Sequence, residues 1–226
     1  MLAGSLAGCR TRQPASDEAP GQIQEPAGDT GGSDQVPAGD AGEGGKTLGD
    51  WSGSWNTAGW AAGQRFRYAI NVADDGQVTT GWYSLSLTDA GGGNLNVQYA
   101  GKLVTEFSGA FVAAPGDIDL TTGADLMTAA TLMGLLVTPA LYFAGNPGSW
   151  DEGTTWSYGE GENRISFAIT GRGTYAGIAG AVGEWTMAGA TSVICVNPNV
   201  PLALYVKMTT DERNYLEYIL TECEGF

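Results

Sequence analysis

Ile169-Thr170-Gly171-Arg172-Gly173-Thr174-Tyr175-Ala176-Gly177-Ile178-Ala179-Gly180-Ala181-Val182-Gly183-Glu184 reads as two strands about a glycine turn. Just before it, Ile165, Phe167 and Ile169 alternate with small or polar neighbours, the period of a strand with one buried face. Ala176-Gly177 supplies the glycine that a tight turn of positive φ requires, and the glycines around it let adjacent strands bend sharply, as at a barrel corner. Tyr175 then stands where an aromatic ring would plug one end. The stretch argues for an antiparallel, all-β domain.

Working outward, the same period recurs. From Gln64 to Ala73, Phe66, Tyr68, Ile70 and Val72 alternate with Arg65, Arg67 and Asn71, and Asp74-Asp75-Gly76 reads as a hairpin turn into a partner strand from Val78 to Thr88. Gly91-Gly92-Gly93 gives a second turn, followed by Leu95, Val97 and Tyr99 alternating with Asn94, Asn96 and Gln98. A fourth strand runs from Lys102 to Val112, and a first one is expected around Trp51 to Thr57. At the carboxy end, Leu202–Thr209 and Tyr215–Cys223 supply two more strands. Between Ala124 and Ala144 the rhythm changes: Leu126, Ala129, Ala130, Met133, Leu136 and Val137 follow helical spacing, Thr122 with Asp125 resembles a capping box, and Pro139 limits the run. A membrane span is disfavoured there, because it would part strands that must pair and no lysine or arginine flanks it. The expectation is a helix of about three turns over a barrel end or seam. The acidic aromatic stretch from Trp150 through Trp156 to Glu162 reads as a loop.

The strand, glycine-turn, Tyr-Ala-Gly, strand pattern of 169–184 resembles the allene oxide cyclase and dirigent barrel superfamily. That resemblance implies an antiparallel barrel of about eight strands around a lined cavity, here over 48–226 and with one short helical insertion. The same glycine-rich hairpins occur in streptavidin-like and lipocalin barrels, whose first strand is similar to Gly49-Asp50-Trp51 with Gly53-Ser54-Trp55. No catalytic residue of the cyclase group is carried over, because none could be matched here.

The start of the chain is different in kind. Leu6-Ala7-Gly8-Cys9 resembles the lipobox of bacterial lipoproteins, in which the cysteine receives a diacylglycerol thioether; residues 1–9 are then an incomplete signal with Cys9 as lipidation site. Residues 10–47 are rich in Pro, Gly, Ala and acids, with Ile23 and Val36 as the large apolar exceptions, and read as a disordered linker. Such a tether would hold the domain roughly 35 Å from a membrane. The expected place is the bacterial cell envelope, facing periplasm or exterior and anchored through Cys9. Cys195 and Cys223, the remaining cysteines, are expected to form a disulfide in an exported protein, worth about 3.5 kcal/mol by loop entropy.

Composition narrows the function. No histidine occurs among the 226 residues, which excludes Ser-His-Asp catalysis and His-ligated metals. The net charge is −15, and 18 of the 25 acids lie in 48–226 against seven bases, so a nucleic-acid partner is not expected. Glu106, Glu184 and Arg164 lie on strands, where an inward carboxylate would have a raised pKa; facing solvent is the commoner fate of such residues. Asp117, Asp119 and Asp125, or Asp151, Glu152, Glu160 and Glu162, lack the spacing of a calcium loop, so no metal or other cofactor is expected. Trp55, Tyr68, Trp82, Tyr99, Tyr175 and Trp185 are enough to line a pocket or a glycan-binding face, or simply to fill a barrel, with Glu106 and Glu184 as polar contacts. The favoured reading is a binding barrel for a small apolar or aromatic ligand. The alternatives are a cyclase-like or dirigent-like enzyme shaping a reactive intermediate, and a structural or macromolecule-binding surface protein. Oligomeric state is left open.

Overall fold

The computed structural model describes residues 51, 55–56, 58–120, 149–160, 164–187 and 190–226. The lipidation site, the linker and the helical insertion expected within 124–144 all lie outside these residues. The chain divides after Val36, and everything described belongs to the unit Pro37–Phe226.

Among the described residues, ten strands form one antiparallel sheet. They are β1 (Arg65–Asp74), β2 (Gln77–Gly91), β3 (Asn94–Lys102), β4 (Glu106–Ala113), β5 (Thr155–Tyr158), β6 (Ile165–Tyr175), β7 (Ile178–Met187), β8 (Ala190–Val196), β9 (Tyr205–Asp211) and β10 (Asn214–Glu224). Their order across the sheet is β4-β3-β2-β1-β10-β9-β8-β7-β6-β5. Two meanders, β1–β4 and β5–β10, are thus zipped together along β1 and β10. One short 3-10 turn, Pro115–Asp117, follows β4.

The hairpins form where the turn chemistry asks for them. Asp75 (φ 47°) and Gly76 (φ 79°) take left-handed conformations between the paired Asp74 and Gln77, the two-residue turn that matches strand twist. Ala176 (φ 50°) and Gly177 (φ 75°) do the same between Tyr175 and Ile178. The β6–β7 pairing also carries a bulge between Ile169 and Gly171, which bends the sheet. Curling brings Cα atoms of β6 within 8 Å of β10.

Alternation places the core on one face. Phe66, Tyr68 and Ile70 of β1, Tyr83, Leu85 and Leu87 of β2, and Leu95, Val97 and Tyr99 of β3 are all buried there. Register continues that face through Tyr218 of β10, Val206 of β9, Ile194 of β8 and Trp185 of β7. β8 and the start of β9 are buried on both faces: Val193, Cys195 and Tyr205 pack on the opposite side, where the Tyr175 ring stacks on Tyr205 at 5.0 Å. One end of the sheet is closed by the link between β8 and β9, whose Asn197, Val200, Leu202, Ala203 and Leu204 are at most 2% exposed. Buried loop backbone needs partners. It finds them in the Tyr68 hydroxyl, which donates to Ala203 O at 2.7 Å, and the Trp55 indole N–H, which donates to Val200 O at 2.6 Å.

Four expectations are corrected here. The sheet is not a closed barrel of about eight strands. The terminal strand does pair back on β1, yet the sheet ends at β4 on one side and at β5 on the other, and these two edges do not pair with each other. The count rises to ten because β5 emerges from the stretch read as a loop, and because Val193-Ile194-Cys195-Val196 of β8 is apolar throughout and so shows no alternation. The strand expected at 51–57 is absent among its described residues: Trp51, Trp55 and Asn56 are irregular, and Asn56 N–H donates to Pro198 O instead. Cys195 and Cys223 are not bridged. Cys195 pairs with Tyr205 and Tyr205 with Ile219, so β9 separates the two cysteines and Cys223 lies four residues further along β10. Two strand spacings alone place their Cα atoms roughly 9–10 Å apart, beyond disulfide reach.

Candidate functional site

Among the described residues, nothing closes the end of the sheet opposite the buried link. There the core face continues one rung further across five adjacent strands, as Trp185 of β7, Ser192 of β8, Met208 of β9, Leu216 of β10 and Val72 of β1. Trp185 pairs with Ser192, Met208 with Leu216, and Leu216 with Val72. Ala73, Asp74, Thr209, Thr210, Asn214 and Tyr215 complete an open groove of about 690 Å³. Trp185 is 4% exposed and forms a wall, while Val72, Met208 and Leu216 are half-buried. The rung is predominantly apolar with a few polar groups at its margin, the composition of small-molecule sites. Ser192 Oγ is not idle, since it accepts from Thr209 N–H at 3.2 Å.

The groove is framed by two interlocked hairpin tips. Asp75 N–H donates to Asn214 Oδ1 at 2.8 Å, Gly76 N–H donates to Arg213 O at 3.0 Å, and Arg213 Nη1 lies 3.0 Å from Asp75 Oδ1. Within the second tip, Asn214 Nδ2 and Arg213 N–H donate to the Asp211 carboxylate, which holds it below the usual carboxylate range. This frame is solvent-exposed, and its hydrogen bonds tie together the ends of β1 and β10 that carry Val72 and Leu216.

The residues singled out from the sequence do not converge. Trp185 alone of them lines the groove. Trp55 and Tyr68 hold the buried link at the other end. Trp82 is half-exposed on the outer face, with the Arg67 guanidinium 5.4 Å from its ring centroid. Tyr99 is buried against Gly109, where a side chain would collide with its ring. Glu106 is exposed and pairs across the edge with Lys102 at 3.3 Å. Tyr175 stacks on Tyr205, and burial pushes both phenols well above their ordinary range. Glu184 is half-buried, next along the strand to Trp185 and therefore on the opposite face. Arg164 is exposed and donates to Ser157 Oγ at 3.3 Å. No group of three acids or cysteines able to hold a metal occurs among the described residues; Asp125 and Glu162 lie outside them.

Sequence reasoning missed Met208, Leu216, Ser192 and Asn214. The signal available was weak: Val206-Lys207-Met208 and Leu216-Glu217-Tyr218 alternate, but nothing in the alternation says which rung stays uncovered.

A second polar cluster lies on the face opposite the core. Tyr205 Oη donates to Glu217 Oε1 at 2.8 Å and Asn71 Nδ2 donates to Glu217 Oε2 at 2.7 Å, so both carboxylate oxygens are engaged although Glu217 is only 8% exposed. A buried carboxylate satisfied in this way is a structural pin between β1, β9 and β10.

No family model matches the chain, and no curated protein matches it. Solved structures that it is similar to include MucB in complex with the periplasmic part of MucA, at 11% identity and a TM-score of 0.42, over 77% of this chain and 54% of that one. The MucA/MucB complex of Pseudomonas aeruginosa gives 10% identity and 0.42, over 75% and 54%. An exported protein of YmcC-like fold from Bacteroides fragilis gives 14% identity and 0.35, over 73% and 97%. The chain thus spans about half the length of the MucB chains it matches.

Proposed function

We propose that this chain is a lipoprotein of the bacterial cell envelope, anchored through Cys9, whose sheet binds a small apolar or aromatic ligand in the groove between the β1–β2 and β9–β10 tips. The anchor rests on Leu6-Ala7-Gly8-Cys9 and on the Pro/Gly/acid composition that follows. The binding reading is carried by one observation: the core face ends in an open, largely apolar groove of about 690 Å³ bounded by Trp185, Met208, Leu216 and Val72. Burying a ligand there gains roughly 25 cal/mol per Å² of apolar surface.

This differs from an enclosed barrel cavity, since the ligand would enter sideways at the rim. The resemblance to cyclase and dirigent barrels remains a proposal for the 169–184 hairpin. Neither Glu106 nor Glu184 lies in the groove, and the one acid of its lining, Asp74, stands at an exposed strand end rather than in a desolvated pocket, which favours binding over turnover.

The test is a fluorescence titration of the full chain with a neutral apolar dye, N-phenyl-1-naphthylamine. Saturable one-site binding is expected, and Val72→Trp, which fills the groove from a half-buried position, should abolish it. Binding that does not saturate, or that survives Val72→Trp unchanged, overturns the assignment and favours a surface that engages macromolecules.

A further inference from the structure

The groove has a one-sided charge. Asp74, at the end of β1, is part of its lining, and the turns that frame it add Asp75, Asp211 and Glu212. Among the described residues the one base at this rim is Arg213, and it is already engaged by Asp75 at 3.0 Å. Asp211 is likewise committed to Asn214 and to the Arg213 backbone. Asp74 makes no ion pair among the described residues, and no lysine or arginine lines the groove. The nearest other base along β9 is Lys207, whose ammonium lies over the Tyr215 ring at 4.7 Å and which points to the opposite face from Met208. Around this rim the chain as a whole carries a net charge of −15.

Resting on the binding reading above, we infer that the groove selects a cationic amphiphile, an alkyl or aryl ammonium compound. Its apolar body lies along Val72, Met208 and Leu216, and its charge sits at Asp74. An exposed carboxylate facing an ammonium contributes up to about fivefold in affinity and costs an anion a comparable factor. An anionic ligand of the same apolar body would gain the burial and meet the carboxylates.

The experiment displaces the neutral dye from the full chain with three compounds that share one tail, decyltrimethylammonium, decanol and decyl sulfate, each below its micelle concentration. The expected order is cation, alcohol, anion, with steps of about fivefold that shrink as salt is raised from about 20 to 300 mM. Asp74→Asn, at an exposed strand end, should reduce the cation-over-alcohol preference to near unity and leave decanol unchanged. Glu222→Gln, an exposed acid at the other end of the sheet, should leave the preference intact. Equal displacement by all three compounds, or a loss of preference in Glu222→Gln as large as in Asp74→Asn, overturns the inference while the groove remains a binding site. Absence of saturable dye binding removes the binding reading and this inference together.

Discussion

Tyr68 and Tyr83 sit directly opposite each other on β1 and β2, each 1% exposed, so one substitution made at both positions separates hydrogen bonding from packing. The Tyr68 hydroxyl donates to Ala203 O at 2.7 Å, whereas the Tyr83 hydroxyl is buried with no partner among the described residues. Tyr68→Phe strands a buried carbonyl of the link that closes the sheet, a loss of about 1–3 kcal/mol. Tyr83→Phe removes a hydroxyl that is desolvated without return, keeps the ring against Phe107, and should stabilise by up to about 1 kcal/mol. Urea unfolding of the full chain followed by tryptophan fluorescence reads both, with the midpoint moving and the slope unchanged. In thermal unfolding each kcal/mol corresponds to about 2–4 °C at this size. If both variants move in the same direction by similar amounts, the hydrogen-bond argument for this rung is wrong.

Ala176 holds a left-handed φ of 50°, so Ala176→Asn should stabilise by about 1 kcal/mol, and a neutral or destabilising midpoint shift would show that the turn is not strained. Burial pushes the phenols of Tyr68, Tyr83, Tyr205 and Tyr218 above their ordinary value of 10 and the Cys195 thiol above 9, so the folded chain holds protons that the unfolded chain releases. Stability is therefore whole below pH 9 and should fall as pH rises above 9–10, by up to about 1.4 kcal/mol per pH unit for each such group; urea midpoints constant from pH 8 to 11 would refute this. Cys195 is buried and Cys223 half-buried, so iodoacetamide should modify Cys223 well before Cys195 in the native chain, and non-reducing peptide mapping should show no 195–223 bridge.

Much of the fold was legible wherever a strand has one wet face. Phe66-Tyr68-Ile70 and Leu95-Val97-Tyr99 alternate, and Asp75-Gly76 and Ala176-Gly177 announce their turns through positive φ. Strand β8 was hidden because both of its faces are buried, which erases alternation, and β5 because four residues are too few to show a period. Closure was the wrong inference from good local evidence. Pairing of the last strand with β1 is a barrel's seam only if the sheet has no other break, and the break lies in the link from β4 to β5, whose length in sequence does not say whether its two flanking strands meet.

The site was less legible for a related reason. Aromatic residues were the natural candidates, but an aromatic ring is also the cheapest way to fill a curved sheet, and Tyr68, Tyr99, Tyr175 and Trp55 are spent in that way. What distinguishes the groove is the place where filling stops: the rung of Val72, Leu216, Met208 and Ser192 has the same alternation as the rungs below it and smaller or more flexible side chains. Trp185 belongs to both sets, packed at its base and bordering open space. Its ring is therefore the residue through which ligand occupancy should be felt by the core, and a groove ligand that leaves Trp185→Phe affinity unchanged would have to bind on the β1–β10 side alone.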